Sequence, residues 1–392
     1  MTSLKTAARV RQIEESATFA VADLVKRLRR EGKIVYDLGG GDPDFPTAAH
    51  IADAAVDALH RGDTHYVASM GTPELREAIA KKLSDDNSLS YDPSTEIVVT
   101  PSAKHALFIA FLSTLDMGDE VLVLSPSWVS YEAMLRLMGA KPVFVPLESA
   151  ESFRITTERL RAAVTEATKA ILVNSPNNPT GRALEMDEAK ALAEVAESED
   201  LLLVADEIYE KVIYDSRTHV SLGALPGVFE RTITINGFSK AYAMTGWRLG
   251  YVAAPSEITE QIVKAQQHTV GCAGSFVQAA AVEALNGPQD VVASMLEEYS
   301  ARRRLIVDGL NALRGVRCAD PDGAFYAFPN IEDVGLGDDK QFTTWLLERA
   351  NVAVTPGSAF GPGGEGHVRL SFANHRDTIH AALEHMHAVW PG

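Results

Sequence analysis

Seven short apolar runs, spread between about residues 50 and 285, constrain this chain more than any other feature. They lie at 96–100, 120–124, 142–146, 170–173, 201–205, 232–236 and 249–253. Val and Ile dominate several of them, and stretches of helical period lie between most neighbours. Continuous apolar runs suit strands whose two faces are both covered, and parallel strands need helical crossovers to join them. The pattern predicts an α/β fold with a mainly parallel seven-stranded sheet flanked by helices.

The pattern changes after about residue 288. A long helix over 290–313 leads to Gly323-Ala324-Phe325-Tyr326-Ala327-Phe328, another helix, a strand over 367–373 and a closing helix. This reads as a smaller α+β domain. Residues 1–35 read as an arm followed by a helix over 16–32, stopped by Gly32. A chain of 392 residues, at roughly 100–200 per domain, predicts two or three domains. The expected divisions are 1–45 (an arm that joins the small domain), 46–287 (the large domain) and 288–392 (the rest of the small domain).

Composition narrows the partners. A formal net charge of −17 argues against nucleic acid, whose phosphates select basic surfaces. Cys272 and Cys318 are too few for a disulfide framework or a zinc site, and both are expected to be buried thiols. The N-terminus lacks the apolar core of a signal peptide. No apolar run reaches the roughly 18 residues of a membrane span. A cytoplasmic protein without a membrane partner is expected. His380, His385 and His387 are expected on a solvated helix face, and no metal site is predicted. Gly361-Pro362-Gly363-Gly364-Glu365-Gly366 matches a dinucleotide-binding spacing but precedes a strand instead of opening a helix, so it is expected to be a flexible loop.

Ligands of open α/β sheets sit beyond the carboxyl ends of the strands. Four such ends are chemically unusual here. Pro101-Ser102-Ala103-Lys104 opens a helix whose free amides suit a phosphate. Asn174-Ser175-Pro176-Asn177-Asn178-Pro179-Thr180-Gly181 is a loop stiff enough to hold Asn178 as a donor, although a plain turn would look similar. Asp206 leaves an apolar strand, where an unpaired carboxylate is costly, so a buried cation beside it is expected. Lys240, in Gly237-Phe238-Ser239-Lys240, follows another strand. Burial lowers the pKa of an amine, as Schiff-base chemistry requires. Arg248, eight residues on, suits a phosphate.

Taken together, Ser239-Lys240, Arg248, the Asn-Asn-Pro-Thr-Gly loop and Asp206-Glu207-Ile208-Tyr209 resemble the class I/II, fold-type I aminotransferases. Within these the sequence is most similar to the bacterial Iγ aspartate, or aspartate/prephenate, aminotransferases, from about Ser16 to the last helix. The resemblance implies a pyridoxal 5'-phosphate enzyme in which Lys240 forms the Schiff base and shuttles the proton. It implies that Asp206 pairs with the ring nitrogen, that Asn178 and Tyr209 reach the ring oxygen, and that Trp128 stacks on the ring. The Ala103 and Lys104 amides, Ser239 and Arg248 would hold the phosphate. Tyr66 would reach it from a second subunit, making a homodimer with shared sites.

For substrates, the resemblance implies that Arg369 and the Gly41 amide bind the α-carboxylate, with Trp128 and Asn178 alongside. Thr18 and the Lys104 side chain would take a second carboxylate. Such a site favours aspartate or glutamate and a 2-oxo acid in a ping-pong cycle. Plainer readings remain: an ion pair for Arg369, a helix cap for Thr18, a solvated lysine at Lys104. A β-lyase or related synthase on the same fold is the alternative activity, and an aminotransferase of specialised metabolism with a non-dicarboxylic substrate is another. Two segments depart from the family pattern. Pro-Ser-Ala-Lys stands where relatives have Val-Gly-Gly-Lys, and 269–275 lacks the usual Ser/Thr/Pro-rich character.

Overall fold

All seven apolar runs become strands of one sheet. A computed structural model describes residues 6–391. In chain order its strands are β1 (Tyr36–Asp37), β2 (Ile97–Thr100), β3 (Glu120–Ser125), β4 (Lys141–Pro146), β5 (Thr168–Asn174) and β6 (Leu202–Asp206). These are followed by β7 (Thr232–Gly237), β8 (Gly250–Ala253), β9 (Tyr326–Ala327), β10 (Val352–Ala353), β11 (Thr355–Pro356) and β12 (Val368–Ser371). The large sheet has the order β2-β8-β7-β6-β5-β3-β4, and only β8 runs against its neighbours.

The apolar runs are continuous because both faces of the sheet are covered. Along β5, Ala170 and Leu172 join one core cluster while Ile171 and Val173 join the cluster on the opposite face. Along β6, Val204 points to the first cluster and Leu203 and Ala205 to the second. Successive side chains of a strand point oppositely, so burial on both faces removes any polar alternation. The two parallel neighbours of β5, together with β7, therefore end along one edge of the sheet, as does β2, which lies antiparallel to β8.

The C-terminal part forms a three-stranded antiparallel sheet, β11-β12-β9. The two-residue strand β1 pairs parallel with β10, tying the N-terminal segment to the C-terminal elements. The N-terminal helix spans Ala17–Arg30 and the long late helix Asp290–Asn311, close to the expected limits. Among the described residues, no helix is long and apolar enough to cross a membrane.

Two expectations need correction. Cys318 is buried, but Cys272 is only half-buried, because it lies in the irregular segment between two helices. The glycine-rich loop 361–366 is anchored. The Ser125 hydroxyl donates to the Pro362 carbonyl at 2.7 Å and the Ile331 amide to the Gly366 carbonyl at 2.8 Å. Its glycines serve close packing instead: a Cβ on Gly364 would overlap the Gly357 carbonyl.

Candidate active site

The unusual strand ends meet at one edge of the large sheet. Asp206 is the last residue of β6, Asn178 follows β5, Lys240 follows β7, and the helix Ala103–Thr114 begins after β2. The C-terminal sheet closes the cleft from the other side and carries Arg369 on β12.

Asp206 is 3% exposed. Its carboxylate accepts hydrogen bonds from the Tyr131 hydroxyl at 2.7 Å and the Ile208 amide at 3.3 Å. Burial pushes its pKa up to about 6, although both donors and Lys240 oppose the shift. The expected cation does not sit on it: among the described residues no Lys or Arg pairs with this carboxylate. The neighbouring Glu207 turns away, accepting from Ser221 at 2.8 Å and lying 2.9 Å from the His219 ring. Only one of two consecutive carboxylates therefore faces the cleft, and it faces the cleft unneutralised.

The Lys240 ammonium donates to the Gly41 carbonyl at 2.6 Å and lies near the rings of Phe325 and Tyr209. Water reaches part of the side chain, yet protein encloses the amine. Burial brings its pKa down to about 8, with Arg369 and Arg248 adding to the effect and Asp42 and Asp206 opposing it.

Arg369 is 2% exposed and has no carboxylate partner among the described residues. It donates to the Asn178 side-chain oxygen at 2.9 Å and to the Gly39 carbonyl at 2.5 Å. Its Nε is buried without an acceptor, and its guanidinium lies against the rings of Tyr326 and Phe360. A structural ion pair is thus excluded for this arginine. A buried guanidinium with unfilled donors is a receptor for a planar anion. Because Asn178 accepts from Arg369 through its oxygen, its NH2 group remains free to donate elsewhere.

The helix over Ala103–Thr114 starts from a distorted turn. Ser102 has φ 103° and its hydroxyl accepts from the His105 amide at 3.2 Å. Ala243 and Arg248 also adopt positive φ, 51° and 55°. Non-glycine residues in such conformations cost about 1–3 kcal/mol each and gather at functional sites. Gly250 allows the close approach here, since a Cβ on it would overlap the Ala103 amide nitrogen. Ser239 is buried, whereas Arg248 is exposed and donates to the Thr245 carbonyl at 2.7 Å.

At the mouth of the cleft the Lys104 ammonium lies 4.8 Å from the Trp128 ring centre and 5.3 Å from that of Phe19. Burial and the nearby Arg248 lower its pKa, so it is not a freely solvated lysine. Phe19 adjoins Thr18, whose hydroxyl pairs with that of Ser16 at 2.9 Å and caps nothing. Tyr66, by contrast, stands out in solvent and is 95% exposed.

Two residues that the sequence analysis missed complete the constellation. Tyr131 lies on the helix Ser130–Met138, three residues after Trp128, and reaches Asp206 only because that face of the helix packs inward. Tyr326 lies opposite Ser371 on β12, a pairing that only the antiparallel register reveals. Its hydroxyl is 2.8 Å from that of Tyr209.

Pyridoxal 5'-phosphate presents a basic ring nitrogen, a ring oxygen, an aldehyde and a phosphate, and the residues present fit it. The buried unneutralised Asp206 suits a protonated ring nitrogen, the Lys240 amine an aldehyde, and the free NH2 of Asn178 and the Tyr209 hydroxyl a ring oxygen. The strained helix start shaped by Gly250 suits a phosphate.

Comparison with known proteins agrees with this reading. The family described as aminotransferase class I and II matches residues 33–386. An aspartate aminotransferase of Musicola paradisiaca is 48% identical, covering 96% of this chain and 94% of its own. An aromatic-amino-acid aminotransferase of Thermococcus litoralis is 42% identical over 91% of both chains. The solved structure of the Thermus thermophilus aspartate aminotransferase with maleate superposes with a TM-score of 0.93 at 41% identity, covering 99% of this chain and all of that one. The chain therefore belongs to the class I and II aminotransferases, enzymes that use pyridoxal 5'-phosphate to exchange an amino group between an amino acid and a 2-oxo acid.

Proposed function

We propose that this aminotransferase prefers dicarboxylic amino acids, aspartate and glutamate, and holds the substrate by both ends. The observation that carries this reading is a pair of site cations that no acid neutralises among the described residues. Arg369 lies buried without an acid, and Lys104 is half-buried between Trp128 and Phe19 without one. Arg369 and the Gly41 amide take the α-carboxylate, and Lys104 with Thr18 takes the second. Maleate, present in the Thermus relative, is itself a four-carbon dicarboxylate.

Asp206, Asn178, Tyr209, Ser239, Arg248, Trp128 and the amides of Ala103 and Lys104 hold the cofactor in this reading, with Tyr66 contributed by a second subunit. When bound, the cofactor supplies an electron sink that stabilises negative charge at the substrate Cα. Lys240 Nζ, once released, takes the proton from Cα and delivers it back on the far side of the transfer. Burial alone already lowers the pKa of this amine in the cofactor-free chain, the direction that a general base needs. The C-terminal sheet moves with Arg369, so carboxylate binding draws it onto the cleft and excludes water. The chain divides into 46–287 as the large domain and 288–392, joined by 1–45, as the small one. A homodimer in the cytoplasm is the working form.

Mixing the holoenzyme with single amino acids, and following the loss of the lysine-bound cofactor absorbance, tests the preference. Aspartate and glutamate are expected to react fastest. Lys104→Ala should slow these two by about 10–100-fold and leave alanine or phenylalanine nearly unchanged, the loss expected for one charged hydrogen bond. Equal slowing of all substrates, or fastest reaction with an aromatic amino acid, would overturn the dicarboxylate reading.

A further inference from the structure

Tyr326 touches more of the cleft than any role given so far explains. It is 1% exposed on β9, directly opposite Ser371 on β12. Arg369 lies two residues before Ser371, on the same face of its strand, so the Tyr326 ring rests diagonally against the guanidinium, 4.5 Å from its central carbon. The Tyr326 hydroxyl reaches in the other direction, to the Tyr209 hydroxyl at 2.8 Å. It also fills the space that a side chain on Gly41 would need, and the Gly41 carbonyl is the acceptor for Lys240. One side chain of the C-terminal sheet thus contacts the guanidinium, the tyrosine beside the lysine, and the loop that holds the lysine.

Of two hydroxyls at this distance, one donates and the other accepts. If Tyr326 donates, the Tyr209 proton is free to point into the cleft, and it becomes a better donor because linked hydrogen bonds polarise one another. The opposite arrangement would spend the Tyr209 proton on Tyr326 and leave only an acceptor facing the cleft. Tyr326 has no hydroxyl partner other than Tyr209 among the described residues, so donation to Tyr209 satisfies it fully.

We propose that Tyr326 is a positioning residue: its hydroxyl donates to Tyr209 and aims the Tyr209 proton at the cofactor's ring oxygen, while its ring separately supports Arg369. This rests on the reading that Tyr209 contacts the cofactor, and the test separates the two.

Tyr326→Phe removes the hydroxyl and keeps the ring. In the holoenzyme, the visible absorbance of the cofactor bound to Lys240 titrates with pH. A donor to the ring oxygen stabilises its anionic form and holds that pKa down, so a weaker donor raises it. Tyr209→Phe is expected to raise the spectroscopic pKa by about one unit, and Tyr326→Phe by about half a unit. Adding Tyr326→Phe to Tyr209→Phe should produce no further change, because nothing remains to be aimed. The KM for aspartate should stay within about twofold in Tyr326→Phe, since the ring against Arg369 is retained. An unmoved titration in Tyr326→Phe, or an added shift in the Tyr209→Phe background, would overturn the proposal. So would a tenfold rise in KM without a spectral change. If Tyr209→Phe itself leaves the titration unmoved, the cofactor role of Tyr209 fails first and the proposal falls with it.

Discussion

At the scale of single residues, the site is a set of charges held in an uncomfortable state. Lys240 is the clearest case. Its pKa of about 8 in the folded chain lies below the ordinary 10.5, so the unfolded chain binds more protons between those values. Stability therefore rises with pH across that window, and the full cost is felt below pH 8. In the cofactor-free protein, Lys240→Met removes the titration. The variant is expected to be about 2 kcal/mol more stable at pH 7, after allowing for the water that reaches the group. The gain should shrink as pH rises from 8 to 10.5. Urea denaturation at a series of pH values checks this, and a constant difference across the range would show that the amine is not strained. Asp206 runs the other way in sign: its raised pKa makes the folded chain hold a proton longer than the unfolded one, so stability falls as pH rises through about 6. Both costs are removed by a ligand that pairs with the carboxylate and reacts with the amine.

At the scale of elements, function depends on how closely backbone approaches backbone. The start of β8 lies against the start of the helix Ala103–Thr114, and only the absence of a side chain on Gly250 permits it. Gly250→Ala would push the Ala103 and Lys104 amides aside without removing any polar group. The expected result is a cofactor Kd raised about tenfold or more, by analogy with the cost of small displacements in preorganised sites. Titration of the cofactor-free protein, with thermal melting to check the fold, measures it; an unchanged Kd would separate these amides from the phosphate. The expected helix start after β2 is where the helix Ala103–Thr114 begins, opened by Pro-Ser-Ala-Lys without a glycine. Tyr131 and Tyr326 were missed, because their contributions depend on a helix face and on strand register that no local pattern reports.

At the scale of the whole molecule, two features stand out against a net charge of −17. Lys104, Lys240, Arg248 and Arg369 gather around one cleft, where local field and not average charge governs binding. Tyr66, at 95% exposure, is a large aromatic side chain left in solvent. The proposed dimer with shared sites would place it at the neighbour's cofactor. Complementation tests this. Lys240→Ala and Tyr66→Ala proteins, each impaired alone, should regain activity after unfolding and refolding together, because mixed dimers contain one site with both residues intact. No recovery despite mixed dimers in native mass spectrometry would leave Tyr66 outside the site.

What the chain determines by itself is local. Apolar runs without alternation specify strands covered on both faces, and the residues after those strands name the chemistry, since Asp206, Asn178, Lys240 and Arg248 each stand directly beyond or close to a run. What only tertiary structure decides is which groups remain unneutralised. Among the described residues, Asp206 is met by the Tyr131 hydroxyl and the Ile208 amide, with no lysine or arginine paired to it, and no acid pairs with Arg369. Both facts depend on contacts between residues far apart in sequence, such as Tyr131 with Asp206 and Asn178 with Arg369. Periodicity carries no information about such pairs, because the energy that sets them comes from burial and register across the folded chain.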